Sequence, residues 1–214
     1  MRAIVDGVHL PCNHSRVPDA PLGEWQPLEV AELRARLDAQ AAPWWIAGGR
    51  ALELFAGRSW REHGDLDAGI LRRDQRRVFA ALGDWQLHAA NDGALTRLCA
   101  GELAPPDCVS VWCRPGAGEP WRFELLLDSS DAGDWVFRRD ASIRRPLAEL
   151  VSRTPDGCPY LRPEVQLLYK AKGRRAKDEA DFAAVAPLLD PEASHWLRAA
   201  LERVYPGHPW LARL

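Results

Sequence analysis

The sequence predicts an α/β chain of the α+β kind: a mixed β-sheet with flanking helices, followed by a small C-terminal helical domain. Three observations predict it. Short apolar strands alternate with amphipathic helices in the first part of the chain, a run of three strands follows up to residue 127, and from Pro163 onward the apolar periodicity is helical throughout. The length of 214 residues is enough for one large domain or two small ones sharing a core. With 47% hydrophobic and 27% charged residues the composition is that of a globular protein and excludes a disordered one.

The elements are read in order. "EVAELRARL" (29–37) puts Val30, Leu33 and Leu37 on one helical face. "PWWIA" (43–47) is a short buried strand, broken by Gly48 and Gly49 before the helix "RALELFAG", which Gly57 closes. The polar loop "RSWREHG" leads to the strand "DLDAGIL" (65–71), and "DQRRVFAALG" (74–83) is a helix with Asp74 at its cap and Gly83 at its end. "DWQLHAA" (84–90), "CVSVWCR" (108–114) and "WRFELLL" (121–127) are strands, the last two joined by the turn "PGAGEP", with "DWVFRRD" (134–140) a further short strand. Three helices complete the chain, beginning "PEVQLLYKAKGRR" with proline at a first helical position, then "KDEADFAAVAPLL" and "PEASHWLRAALERV". The turn residues of "RTPDGCP" divide a domain of residues 1–155 from a helical one of 156–214.

Charge and cysteine content narrow the function classes. The net charge of -2 argues against a protein whose main task is to coat nucleic acid. Basic residues are nevertheless clustered in "LRRDQRR" (71–77), "FRRDASIRRP" (137–146) and "YKAKGRRAK" (169–177), and one such cluster is expected to face a polyphosphate. No apolar stretch is long enough to span a membrane, and the start of the chain lacks a signal-peptide pattern. The odd set Cys12, Cys99, Cys108, Cys113 and Cys158 has no C-x-x-C pair, so reduced thiols in a cytoplasmic protein are expected.

The chemistry is carried by carboxylates. In an extended "DLDAGIL", Asp65 and Asp67 share one face while Leu66, Ala68 and Ile70 point into the core. Two carboxylates roughly 7 Å apart along a strand repel unless a cation lies between them, and a hard divalent ion, Mg²⁺ foremost, is the natural one. In "WRFELLLD", Phe123, Leu125 and Leu127 form one face, with Glu124 and Asp128 on the other. If the two strands pair, Glu124 joins the site as a third carboxylate; Asp128, at the end of its strand, is expected to be a solvated turn residue. Gly48 and Gly49 at a strand-to-helix turn let the N–H groups of Gly49 and Arg50 approach an anion at the positive end of a helix.

These residues carry a resemblance. The run "GGRALELFAGRSWREHGDLD" resembles the signature of nucleotidyltransferases with a DNA-polymerase-β-like palm, and is similar in particular to lincosamide nucleotidyltransferases and aminoglycoside 2''-adenylyltransferases. Gly48, Gly49, Arg61, Glu62, His63, Asp65 and Asp67 match a glycine pair, a short helix and an R-E-H-x-D-h-D run, and "PYLRPEVQLLYKAKGRRAKDEADF" (159–182) resembles the group's helical region. The resemblance implies metal ligation by Asp65, Asp67 and Glu124, with Mg²⁺ as the ion and Mn²⁺ as its substitute. It implies nucleotide contacts from Gly48, Gly49, Arg50 and Lys170, and a role for Glu124 in deprotonating the acceptor. Two departures stand out: Arg50 where relatives often carry Ser or Trp, and Glu124 where Asp is commoner.

The expected function is therefore transfer of a nucleoside monophosphate, AMP from ATP, to a hydroxyl acceptor such as an aminoglycoside- or lincosamide-like small molecule. An RNA or protein acceptor, as in toxin members of the superfamily, is the rival, and a non-catalytic nucleotide-binding module is a third reading. Around the site, Arg61 and Glu62 are expected to fix the loop, Lys177 to pair with Asp181 at i, i+4, and His63 to touch phosphate or cap the loop. Trp60, Trp85 and Trp135 are candidates to stack on a ring.

Overall fold

The computed structural model of the chain describes residues 23–214. The elements follow the order α1 (Val30–Leu37), β1 (Trp44–Ile46), α2 (Gly48–Ala56), β2 (Asp67–Leu71), α3 (Gln75–Ala81), β3 (Gln86–Asn91), β4 (Ala94–Leu98), β5 (Ser110–Arg114), β6 (Phe123–Asp131), β7 (Asp134–Val136), β8 (Arg144–Pro146), β9 (Val151–Arg153), β10 (Pro159–Leu161), α4 (Pro163–Lys170), α5 (Ala176–Val185) and α6 (Pro191–Val204). The sheet is ten-stranded and mixed, in the order β4-β3-β5-β6-β2-β1-β10-β9, with β7 and β8 continuing from β6. This is the mixed α/β architecture that the sequence predicts.

The centre of the sheet is the parallel pair β2 and β6, flanked by antiparallel β1 and β5. Ala68, Ile70, Phe123, Leu125 and Leu127 are buried along it, as strand alternation requires. Gly69 has a packing reason: the Trp45 ring crosses it, and a Cβ there would lie 2.0 Å from Trp45 Nε1. The turn at 154–158 joins β9 to β10, and β10 pairs parallel with β1, so strands from both sides of residue 155 share one sheet. Buried residues from Leu33 to Trp210 form one continuous core cluster.

Three elements depart from expectation. The hairpin β3–β4 turns at Asp92 and Gly93, both with positive φ, a two-residue turn that the Asp-Gly pair itself signals and that the periodicity alone passes over. β2 begins at Asp67 and not Asp65, because β1 ends opposite Ala68 and the chain then turns into α2, leaving no partner for residue 65. α3 begins at Gln75 with Asp74 at its N-cap position, as expected, but it follows a 3-10 turn over Arg72–Asp74 and the Asp74 side chain makes no capping hydrogen bond. Cys108, Cys113 and Cys158 are free and buried, whereas Cys99 is disulfide-bonded, which corrects the expectation of reduced thiols at that position; Cys12 lies outside the described residues.

An ionic hub fastens the loop between α2 and β2 to the helices. Asp181, fully buried on α5, accepts hydrogen bonds from Arg61 Nε (2.8 Å) and Nη2 (2.9 Å) and from Trp60 Nε1 (2.9 Å). Lys170 Nζ lies 2.8 Å from the same carboxylate and 3.5 Å from Asp178. Lys177 therefore does not pair with Asp181; it reaches to within 4.0 Å of Asp65 instead. Burial pushes the Asp181 carboxyl up, but the hydrogen bond from Arg61 and the Lys170 charge outweigh it and take the pKa from an ordinary 3.8 to about 2.

Two stability predictions arise here. Gly69→Ala forces a Cβ into the Trp45 ring and is expected to destabilise the fold by about 1–3 kcal/mol in urea titration, the scale of overpacking; unaltered stability would show that Trp45 gives way. Because the folded pKa of Asp181 is depressed, its stabilisation, about 2 kcal/mol, is complete above pH ~3.8 and is lost as pH falls toward ~2. Asp181→Asn is expected to lower stability at neutral pH and to flatten its fall across that acid window, measured by thermal melts at stepped pH.

Candidate active site

Two glycines and two strand ends build the site. Gly48 has φ +66, and a Cβ on it would lie 2.0 Å from Asp67 Oδ2. A Cβ on Gly49 would meet Arg61 Nη2 at 2.0 Å and His63 Cε1 at 2.4 Å. Glycine is thus required at 48 by backbone conformation as well as by space, and at 49 by space. The Gly48 N–H is already taken, donating to Gln166 Oε1 at 2.8 Å. The free donors of the α2 N-terminus are those that follow it.

Asp67 and Glu124 are register partners across the β2–β6 pair, so their side chains share a face. The Ser110 hydroxyl, on neighbouring β5, donates to Glu124 Oε1. Burial, then the Glu124 charge, then that of Asp65, hold the Asp67 carboxyl well above the ordinary range. Burial also raises Glu124, with the Ser110 hydrogen bond pulling the other way and Asp65 adding to the rise. Asp65, in the loop before β2, is half exposed beside Lys177.

These groups line one cleft of about 480 Å³ that also contains Asp128, Arg138, Arg139, Gln166, Tyr169, Lys170, Lys172, Arg175 and Lys177. Of the residues expected from sequence, Gly48, Gly49, Asp65, Asp67, Glu124 and Lys170 all face it. Arg50 is not among its lining residues; its guanidinium turns to Glu53 at 3.2 Å, and only its backbone N–H belongs to the helix start. The Lys170 ammonium is already matched by Asp178 and Asp181. Two of the three basic clusters converge on the cleft, through Arg138 and Arg139 and through Lys172, Arg175 and Lys177. The cluster 71–77 does not: Arg72 donates to the carbonyls of Pro105 and Cys108, and Arg76 to that of Gly101.

Several neighbours differ from expectation. Asp128 is buried and accepts from Tyr169 Oη at 2.6 Å, because β6 runs on to Asp131 and no turn begins at 128. His63 is buried with Nε2 3.0 Å from Glu53 Oε1, and burial lowers its pKa, so it braces the loop. Arg61 pairs with Asp181 and not with the Glu62 carboxylate. None of the three candidate tryptophans offers a free ring: Trp60 is tied to Asp181, Trp85 packs on Phe123 beneath Arg36, and Trp135 is fully buried against Phe137 and Tyr169.

Among the described residues no group of three His, Cys, Asp or Glu side chains forms a ready-made metal cage. The donor set nevertheless fits Mg²⁺, which keeps water and is usually held by one or two carboxylates together with substrate phosphates. Asp67 and Glu124 side by side, both with raised pKa, are the pair that a divalent cation would relieve. Among the described residues no helix is long and apolar enough to cross a membrane.

The model of the Aminoglycoside-2''-adenylyltransferase family matches residues 29–115, a segment that includes the glycine turn and both aspartates and stops short of Glu124. No curated protein matches the chain. Among solved structures, ANT(2'')-Ia in complex with adenylyl-2''-tobramycin is similar with a TM-score of 0.54 at 16% identity, over 82% of this chain and 98% of that one. The lincomycin-bound lincosamide antibiotic adenylyltransferase LnuA is similar with a TM-score of 0.50 at 14% identity, over 75% of this chain and 94% of that one. The chain has the fold of the nucleotidyltransferase superfamily, and in its first half it resembles the aminoglycoside-2''-adenylyltransferases.

Proposed function

We propose that the protein is a metal-dependent nucleotidyltransferase that moves AMP from ATP to a hydroxyl group of a small molecule, held between residues 1–155 and the helices of 156–214. The observation that carries this reading is the register pairing of Asp67 with Glu124 beside a glycine turn, in a cleft whose far walls are basic. The molecules bound in the two similar structures, adenylyl-2''-tobramycin and lincomycin, support the adenylyl group and a small acceptor.

Asp67 and Glu124, with Asp65 at the rim, would hold Mg²⁺, or Mn²⁺ in its place. Bound there with the triphosphate, the ion supplies charge neutralisation and Lewis acidity at the phosphate oxygens. The N–H groups of Gly49 and Arg50 offer the positive end of α2 to phosphate oxygens. Lys172, Arg175 and Lys177 line the part of the cleft suited to the β- and γ-phosphates, with Lys170 fixed behind them by its two aspartates. Glu124, lifted by burial toward the working range of a base, takes the proton of the acceptor hydroxyl. The hydroxyl oxygen then bonds to the α-phosphorus as the bond to the bridging oxygen breaks, and pyrophosphate leaves.

Calorimetry with each of the four nucleoside triphosphates, with and without Mg²⁺, tests the reading: ATP is expected to bind only with the metal, and failure of all four would overturn it. Asp67→Asn and Glu124→Gln are each expected to lower pyrophosphate release with ATP and pools of hydroxyl acceptors by at least about a hundredfold. Metal-free Asp67→Asn is expected to melt no lower than the unaltered protein, since one of two repelling charges is gone. Full turnover in either variant would make the pair structural.

A further inference from the structure

The cleft is not symmetric in its unmatched charge. Asp65 has Lys177 beside it, Asp67 and Glu124 face each other, and Asp128 is engaged by Tyr169. Asp67 and Glu124 have no cation beside them but are the pair assigned to the metal, so no further carboxylate of the cleft is left over for an ammonium group of a ligand. On the other side of the account stand Arg138 and Arg139, consecutive residues just after β7. Both line the cleft, and among the described residues neither lies within 4.0 Å of a carboxylate, by contrast with Arg144 and Arg145 of the same cluster, paired with Asp131 and Glu164.

The two arginines are held in place without being neutralised. The Arg138 guanidinium lies 5.1 Å from the Tyr169 ring centroid and that of Arg139 lies 5.6 Å from the same ring. Arg139 Nη1 donates to the Tyr169 carbonyl at 3.0 Å and to Tyr205 Oη at 3.2 Å. Tyr169 in turn is fixed through its hydroxyl to Asp128. A guanidinium positioned on an aromatic ring keeps its in-plane donors free, the geometry that takes a phosphate or carboxylate through two parallel hydrogen bonds. Arg138 and Arg139 line the same cleft as Glu124 and Asp128, the two acids on one face of β6. The stretch of β6 between those acids spans roughly 13 Å, enough for a small molecule whose hydroxyl is at Glu124.

We infer that the acceptor is an anionic hydroxyl compound, a small phosphorylated or carboxylated alcohol whose acidic group is bound by Arg138 and Arg139 while its hydroxyl is presented to Glu124. This rests on the nucleotidyltransferase reading of the same cleft and narrows its acceptor: a polyamine would meet two unmatched guanidinium groups and, apart from the carboxylates assigned to the metal, no unmatched acid. Both arginines act in positioning and specificity and neither enters the bond-making step.

The test uses matched forms of one sugar, glucose 6-phosphate, glucuronate, glucose and glucosamine, with tobramycin as a polycationic control. Binding to the full chain is measured by calorimetry with and without a non-hydrolysable ATP analogue and Mg²⁺. The phosphorylated or carboxylated form is expected to bind at least about tenfold more tightly than glucose, with glucosamine weakest, as one charge-assisted bidentate contact requires. Raising the salt concentration is expected to narrow the gap. Arg138→Gln and Arg139→Gln are expected to cut the preference to about threefold or less, and Arg138→Lys to restore part of it, with affinity for the nucleotide analogue within about twofold of the unaltered protein. Equal binding of charged and neutral sugars, tighter binding of tobramycin, or a preference that survives both glutamine variants would overturn the inference. So would a loss in the variants confined to the nucleotide analogue, which would assign the arginines to the triphosphate. Failure of the unaltered protein to bind the analogue strikes the nucleotidyltransferase reading alone, because the anion preference is read separately without nucleotide.

Discussion

Everything in the cleft depends on the parallel pairing of β2 with β6, which sets Asp67 directly beside Glu124. Two carboxylates on adjacent strands, roughly 5 Å apart, repel by about 3 kcal/mol at an effective dielectric constant of about 20 if both are ionised. The pair persists because the rest of the strands is strongly apolar. Ala68, Ile70, Leu125 and Leu127 are buried just beyond it, and a slip of one residue would turn all of them out of the core. Core burial thus holds the pair in register and is also the main cause of the raised pKa at both carboxyls, with the Glu124 charge adding to the rise at Asp67 and the Asp65 charge to that at Glu124.

The surrounding structure serves that pair by clearing space and fixing the approach to it. Gly48 lets the start of α2 come up against Asp67, and Gly49 lets Arg61 and His63 lie over the same turn. Neither side chain is there for its own charge. Arg61 is matched by Asp181, and His63 leans on Glu53 with its pKa lowered by burial. The loop that resembles a catalytic signature is therefore mostly a bracket, tied at one end to α2 and at the other to α5 through a carboxylate with a pKa of about 2.

How much of this the sequence discloses follows from the range of each interaction. Alternation in "DLDAGIL" and "WRFELLLD" identifies the strands, and with them the face shared by Asp67 and Glu124, because period-two burial is a local property. The glycine turn is equally local. The partners of Lys170, Lys177 and Arg61 are not: Asp181 lies 120 residues from Arg61 in the chain, and the i, i+4 spacing of Lys177 to Asp181 suggested a pairing that a long-range competitor displaced. Arg138 and Arg139 are visible as part of an arginine cluster, yet nothing in "FRRDASIRRP" separates them from Arg144 and Arg145, which pair elsewhere. Short strands such as β8, β9 and β10, of three residues each, carry too few positions for any periodicity to register.

Glu124 and Asp128 show why residue type and face are not sufficient to assign a role. Both are acids on the same face of β6, both line the cleft, and burial raises the pKa of both. What separates them is their neighbours. Asp128 receives the Tyr169 hydroxyl at 2.6 Å, and its charge is spent on orienting a ring on which two arginines rest. Glu124 has one hydroxyl donor, Ser110, and a second carboxylate beside it, so its negative charge is left in want of a cation and its oxygen in want of a proton. One acid is structurally satisfied and the other is not, and the proposed reaction assigns the chemistry to the unsatisfied one. The same distinction divides the arginines of the 137–146 cluster: Arg144 and Arg145 are matched by carboxylates, and among the described residues Arg138 and Arg139 are not.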